Sequence, residues 1–109
     1  MSLSLSDPSL LKSQAYVDGQ WIDADSGDTF AVTNPANGEV IAQVAKLGAA
    51  ETSRAISAAQ RGMDEWKKLP AKARAGVLRK WFDLMMANQE DLALIMTAEQ
   101  GKVLAESRG

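Results

Sequence analysis

Glu39-Val40-Ile41-Ala42-Gln43-Val44-Ala45, then Lys46-Leu47-Gly48, then Ala49-Ala50-Glu51-Thr52-Ser53-Arg54-Ala55-Ile56 is the stretch on which the fold turns. Up to Ala45 the pattern is extended, and beyond Gly48 the apolar period changes from two to about 3.6. Ile56, Ala59, Met63 and Trp66 follow one another at helical spacing. They form one stripe of a helix predicted over residues 50 to 69.

Toward the amino terminus the signals are those of hairpins. Thr29-Phe30-Ala31-Val32-Thr33 reads as a strand, and Asn34-Pro35-Ala36-Asn37-Gly38 breaks it before the extended run resumes at Glu39. Farther back, Gln14-Ala15-Tyr16-Val17 and Gln20-Trp21-Ile22 flank Asp18-Gly19, a dipeptide that tolerates positive φ at both turn positions. Residues 1–13 are serine-rich with Pro8 and no sustained period. They read as a leader or loose arm, with Met1-Ser2-Leu3 set aside as an expression leader.

Toward the carboxyl terminus, Pro70 ends the first helix and opens the next. Arg74, Val77, Leu78, Trp81, Leu84 and Met85 make the second stripe, with the arginine stem at its edge. Asn88 and Asp91 are placed to satisfy the first amides of a third helix, whose buried face is predicted as Leu92, Ile95 and Met96. Gly101 stops that helix, and Lys102 to Gly109 begins another helical segment. There Val103-Leu104-Ala105 offers apolar side chains without later turns to complete a stripe, so further polypeptide is expected to cover it.

The 109 residues suit one domain, and 46% hydrophobic with 24% charged residues is the balance of a folding chain rather than a disordered one. Net charge is −2, which supplies no field for drawing in polyanions. Residues 51 to 80 are locally basic, with eight cations against three carboxylates. A solvated helix face is the reading preferred there, because Trp66, Trp81 and Phe82 fall on the apolar stripes and leave no stacking platform for nucleic acid. No run is long and apolar enough for a membrane span.

Neither cysteine nor histidine is present. Their absence removes the thiol nucleophile, the usual general base near neutral pH and the two commonest zinc ligands. Ser53 and Ser57 have no histidine to activate them, and no glycine-rich phosphate loop occurs. Asp18, Asp23, Asp25 and Asp28 read as turn formers, the methionines as gap fillers, and Gln100-Gly101-Lys102 as a helix stop followed by a surface lysine. No catalytic and no cofactor-binding residue is assigned.

The order of motifs carries a resemblance. Tyr16-Val17-Asp18-Gly19-Gln20-Trp21, Thr33-Asn34-Pro35-Ala36-Asn37-Gly38-Glu39-Val40-Ile41-Ala42, Ala55-Ile56-Ser57-Ala58-Ala59 and Ala98-Glu99-Gln100-Gly101-Lys102-Val103-Leu104-Ala105-Glu106 together resemble the amino-terminal part of the aldehyde dehydrogenase superfamily. Trp81-Phe82-Asp83-Leu84-Met85-Met86 with Asn88-Gln89-Glu90-Asp91-Leu92-Ala93 is most similar to its succinate-semialdehyde dehydrogenases. The fold this implies is an α+β segment, two β-hairpins then three or more helices, within an α/β Rossmann-like architecture. Residues 14–109 would be the amino-terminal, incomplete portion of the cofactor-binding domain.

The resemblance further implies a cytoplasmic enzyme that passes a hydride from a thiol-bound aldehyde to NAD or NADP, oxidising succinate semialdehyde to succinate. Its cysteine, glutamate base, oxyanion-hole asparagine and nucleotide contacts all lie outside this stretch, so the 109 residues alone are expected to be inactive. Partners would be the remainder of the polypeptide, a small aldehyde and, for the full-length enzyme, further copies of itself. Neither nucleic acid nor membrane is expected as a partner. One site transfers by position: a monovalent cation held by oxygens of Val32, Thr33 and Glu99. The competing reading is a freestanding small α+β interaction module with a basic helical face.

Overall fold

Asp18 and Gly19 take left-handed backbone, with φ of 52° and 75°, as a two-residue hairpin turn of type I′ requires. Strands β1 (Ala15–Val17) and β2 (Gln20–Ile22) accordingly pair antiparallel around them, with Tyr16 opposite Trp21. The two rings lie 5.0 Å apart at 49°, a tilted pair of the kind that stabilises short ribbons.

The computed structural model describes residues 3–109; Met1 and Ser2 of the leader lie outside the described residues. A second antiparallel pair joins β3 (Thr29–Thr33) to β4 (Val40–Ala45). Its register runs from Thr29 opposite Ala45 to Val32 opposite Ala42, then jumps to Thr33 opposite Val40. Ile41 is therefore the extra residue of a β-bulge. Between the strands Asn34 accepts the Ala36 amide on its side chain at 2.9 Å and the Gly38 amide on its carbonyl at 2.7 Å. Gly38 carries the positive φ of that turn, at 73°.

Helices α1 (Ala49–Trp66), α2 (Ala71–Ala87), α3 (Gln89–Gln100) and α4 (Leu104–Ser107) follow. The first ends three residues earlier than its apolar pattern predicts, because Lys67 to Leu69 tighten into a turn before Pro70. Gly101 closes α3 in the left-handed region at φ 81°, as its place in the sequence requires.

Two expectations at the α2–α3 corner need correction. Asn88 stands at the N-cap of α3 and accepts the Leu92 amide on its carbonyl at 3.0 Å, but its side chain makes no capping bond there; the side-chain amide donates to the Leu84 carbonyl at 2.9 Å at the end of α2. The buried face of α3 centres on Ala93, 1% exposed, with Leu92 and Ile95 half-buried, whereas Met96 is exposed. The reason is α4, which docks on the Ala93–Thr97 side, where the Thr97 and Ser107 hydroxyls meet at 2.8 Å. Small residues there allow the close approach.

The stretch read as an arm has structure of its own. Pro8–Leu10 form a 3-10 turn capped by Asp7, whose carboxylate accepts from the Ser9 amide at 3.0 Å and the Ser9 hydroxyl at 2.6 Å.

The apolar stripes of α1 and α2 exist as the sequence predicts, but they face outward. Ile56 is 66% exposed and Trp81 61%, with Met63, Val77, Leu78, Leu84 and Met86 alongside. Among the described residues the buried apolar side chains are Ala24 and Ala93. The chain forms a slab of 47 × 35 × 20 Å with a radius of gyration of 16.6 Å, against about 13 Å for a compact chain of this length. Its accessible area is 7947 Å² for 11.7 kDa, some 2,000 Å² above the roughly 5,900 Å² typical of a folded monomer of that mass.

Candidate functional site

The three residues singled out for a cation lie on a hairpin strand and on a helix end. Val32 and Thr33 lie on β3 opposite the bulge, Val32 half-buried and Thr33 exposed. Glu99 is exposed in the last turn of α3. What brings the two segments together is Pro35 against Gly101: a Cβ on Gly101 would stand 3.0 Å from the Pro35 Cγ. The set offers one carboxylate beside neutral oxygens, a donor set weak for divalent ions. Among the described residues no cluster of three or more His, Cys, Asp or Glu could hold a metal.

Two other carboxylates are engaged more heavily, and the sequence reading gave neither of them its role. Glu51, in the first turn of α1 and 7% exposed, accepts the Asp25 amide at 3.1 Å and the Gly48 amide at 3.3 Å. This is half of a capping box, since Gly48 has no side chain to return the bond. The spacing Gly48-x-x-Glu51 is the signal that could have found it. Amide donors, its own and that of Asp25 foremost, hold the Glu51 carboxyl below its ordinary range against the opposing effect of burial.

That depression fixes a sign. A carboxyl whose pKa is lower in the folded chain contributes stability above its unfolded value, roughly 4.3, and loses it as the pH falls through the folded value. Glu90 and Asp7 are lowered too, Glu90 by its bond to Arg108 and Asp7 by the Ser9 hydroxyl and amide, so they act in the same direction. The urea midpoint is therefore expected to decline on acidification below that range, and Glu51→Gln to make the decline shallower. Identical slopes in both chains would remove Glu51 from this account.

The first turn of α3 gathers the remaining contacts. Arg108 clasps Glu90 through two nitrogens at 2.7 and 3.2 Å, and Gln89 donates to the Arg108 carbonyl at 2.8 Å. Asp91, 6% exposed, was expected to serve α3. It instead accepts the Ser6 amide on Oδ1 and the Asp7 amide on Oδ2, each at 2.8 Å.

The basic stretch is largely neutralised in place. Arg54 pairs with Asp25 at 2.6 Å, Arg61 with Asp18 at 3.4 Å, Lys67 with Asp64, Lys68 with Glu65 and Arg79 with Asp83. These pairs are exposed and worth little to stability, but they leave no continuous positive face. Of the turn aspartates, Asp18 and Asp25 are occupied in these pairs, and Asp23 accepts from Gln14. Contrary to the sequence reading, one of the three aromatics Trp66, Trp81 and Phe82 does stand under a cation: the Arg79 guanidinium lies 4.9 Å from the Phe82 ring.

Phosphate favours a helix N-terminus with free amides, yet α1 opens on Glu51 and α3 on Glu90 and Asp91, whose charges oppose it. The described helices include none long and apolar enough to cross a membrane.

A model of the aldehyde dehydrogenase family matches residues 21–109. A 3-sulfolactaldehyde dehydrogenase of Pseudomonas putida is 58% identical over 98% of this chain and 22% of its own length. An NADP(+) succinate-semialdehyde dehydrogenase of Escherichia coli is 51% identical over the same shares. The crystal structure of a succinate-semialdehyde dehydrogenase from Burkholderia pseudomallei superposes with a TM-score of 0.93 at 57% identity, over 97% of this chain and 22% of that one. The chain thus spans about a fifth of the length of the relatives it matches.

Proposed function

We propose, from the premise that this chain belongs to the aldehyde dehydrogenase family, that it is the amino-terminal portion of an enzyme oxidising a short aldehyde with a terminal acid group. Succinate semialdehyde, converted to succinate, is the substrate put forward first. The observation that carries this is identity above one half, sustained over nearly the whole chain, to relatives named for such aldehydes. Sulfolactaldehyde and succinate semialdehyde differ in their acid group but share an aldehyde joined to an anion by a short chain.

The chemistry is assigned to polypeptide outside these residues, in a cytoplasmic, homo-oligomeric enzyme. NAD or NADP would be bound there, accepting the hydride. The contribution of the 109 residues is scaffolding: residues 14–109 serve as part of the cofactor-binding domain, presenting the outward stripes of α1 and α2 to the polypeptide that covers them. Exposed apolar area of this extent supports that role over a freestanding module.

The direct test compares the 109-residue chain with a full-length protein containing it, each given succinate semialdehyde or an acid-free aldehyde with NAD or NADP. Reduced nicotinamide should accumulate only with the full-length protein, and faster with the acid-bearing aldehyde. Turnover by the short chain, or none by the long one, would refute the proposal.

Val32, Thr33 and Glu99 are kept as a candidate site for a monovalent cation, supported by the Pro35–Gly101 approach and the single carboxylate. Exchange of potassium for a bulky organic cation should then lower the melting temperature, and Glu99→Gln should abolish that difference.

A further inference from the structure

Residues 5–13 join the sheet side of the molecule to its helical side. At one end the Ser13 carbonyl accepts the Ala45 amide at 2.8 Å, at the last residue of β4. At the other end the Ser6 and Asp7 amides both meet the Asp91 carboxylate of α3. The span between is stiff. Pro8 restricts φ, Leu10 and Leu11 close the 3-10 turn on the Asp7 and Pro8 carbonyls, and Leu10 lines an apolar groove of 470 Å³ with Trp81, Leu84, Met85 and Leu92.

We propose that this segment is a brace that sets the β3–β4 hairpin against α3, with Asp91 as its positioning residue. Two parallel N–H bonds need two acceptor oxygens, which a carboxylate has and an amide lacks. Asp91→Asn keeps the volume but turns a donor toward one of the two amides. A stiff link anchored at both ends transmits the loss of one anchor to the other; a local contact would not. The inference is independent of the aldehyde-oxidising reading.

The test is amide hydrogen exchange on the whole chain. In Asp91→Asn the Ser6 and Asp7 amides should exchange at least about tenfold faster, and the Ala45 amide should accelerate with them although it lies on another element. Glu90→Gln, which disturbs the neighbouring Arg108 clasp, should leave all three unchanged. Faster exchange at Ser6 and Asp7 with Ala45 unaffected would reduce Asp91 to a local contact and overturn the brace. Unprotected Ser6 and Asp7 amides in the unaltered chain would do the same. Should Asp91→Asn lose protection throughout, Leu10→Ser carries the test from the arm side, with the same three amides expected to respond and their constancy counting against the proposal.

Discussion

The isolated 109-residue chain is expected to self-associate at micromolar concentration, and Trp81→Gln with Leu84→Gln to shift it toward monomer. Interfaces that bury about 800 Å² per partner are enough for stable complexes, with affinities from micromolar to picomolar. The chain exposes some 2,000 Å² more than a compact monomer of its mass. That surplus is not scattered. On α2, Val77, Leu78, Trp81, Leu84 and Met85 fall at one helical spacing and are all more than 40% exposed, so they form a continuous stripe rather than the isolated apolar residues that any surface carries. Both substituted side chains already meet water, so the glutamines should cost stability only through the groove they share with Leu10. Light scattering after gel filtration decides the matter. A unaltered chain that runs as a single monomer with one sharp cooperative melt would show that these faces need no cover.

Gly101→Val is expected to destabilise the chain by about 2–4 kcal/mol, combining a left-handed backbone imposed on a side-chain-bearing residue with overpacking. Gly101 has φ 81°, and a Cβ there would stand 3.0 Å from the Pro35 Cγ, inside normal contact. The two costs can be separated. Gly38 has a similar φ of 73° with nothing within 4 Å of its would-be Cβ, so Gly38→Ala reports the backbone term alone, about 1–2 kcal/mol. Gly101→Ala should exceed it by the cost of moving the proline ring. Urea midpoints in the Trp81→Gln, Leu84→Gln background supply the numbers. Equal losses at the two glycines would mean that the α3 end and the Asn34–Gly38 turn do not press together in solution.

Much of the architecture was legible because local chemistry dictated it. Asp18-Gly19, the change of period at Gly48, Pro70 and Gly101 each act within a few residues, and the elements begin and end close to where they say. What the sequence concealed was partnership at a distance. Asn88 reads as the cap of the helix after it, yet its side-chain amide bonds the helix before it, because a side chain at a corner can reach either way. Asp91 reads as a first-turn carboxylate, yet its donors come from a segment more than eighty positions earlier. On α3 the large Met96 stays exposed while the small Ala93 is buried, so apolar size alone does not locate the face. The cation oxygens came from resemblance alone; spacing along the chain gives Val32, Thr33 and Glu99 no common role.

A molecule in which, among the described residues, the buried apolar side chains are Ala24 and Ala93 releases less greasy surface to water on unfolding than a compact domain would. Apolar hydration is what gives unfolding its heat capacity, about 1.4 kcal/mol/K for an ordinary domain of this length. Here roughly 9,000 Å² is released where a compact monomer of this mass would release about 11,000 Å², so that increment is smaller by about a fifth and the stability dome is correspondingly shallower. Full curvature returns when α1 and α2 are covered.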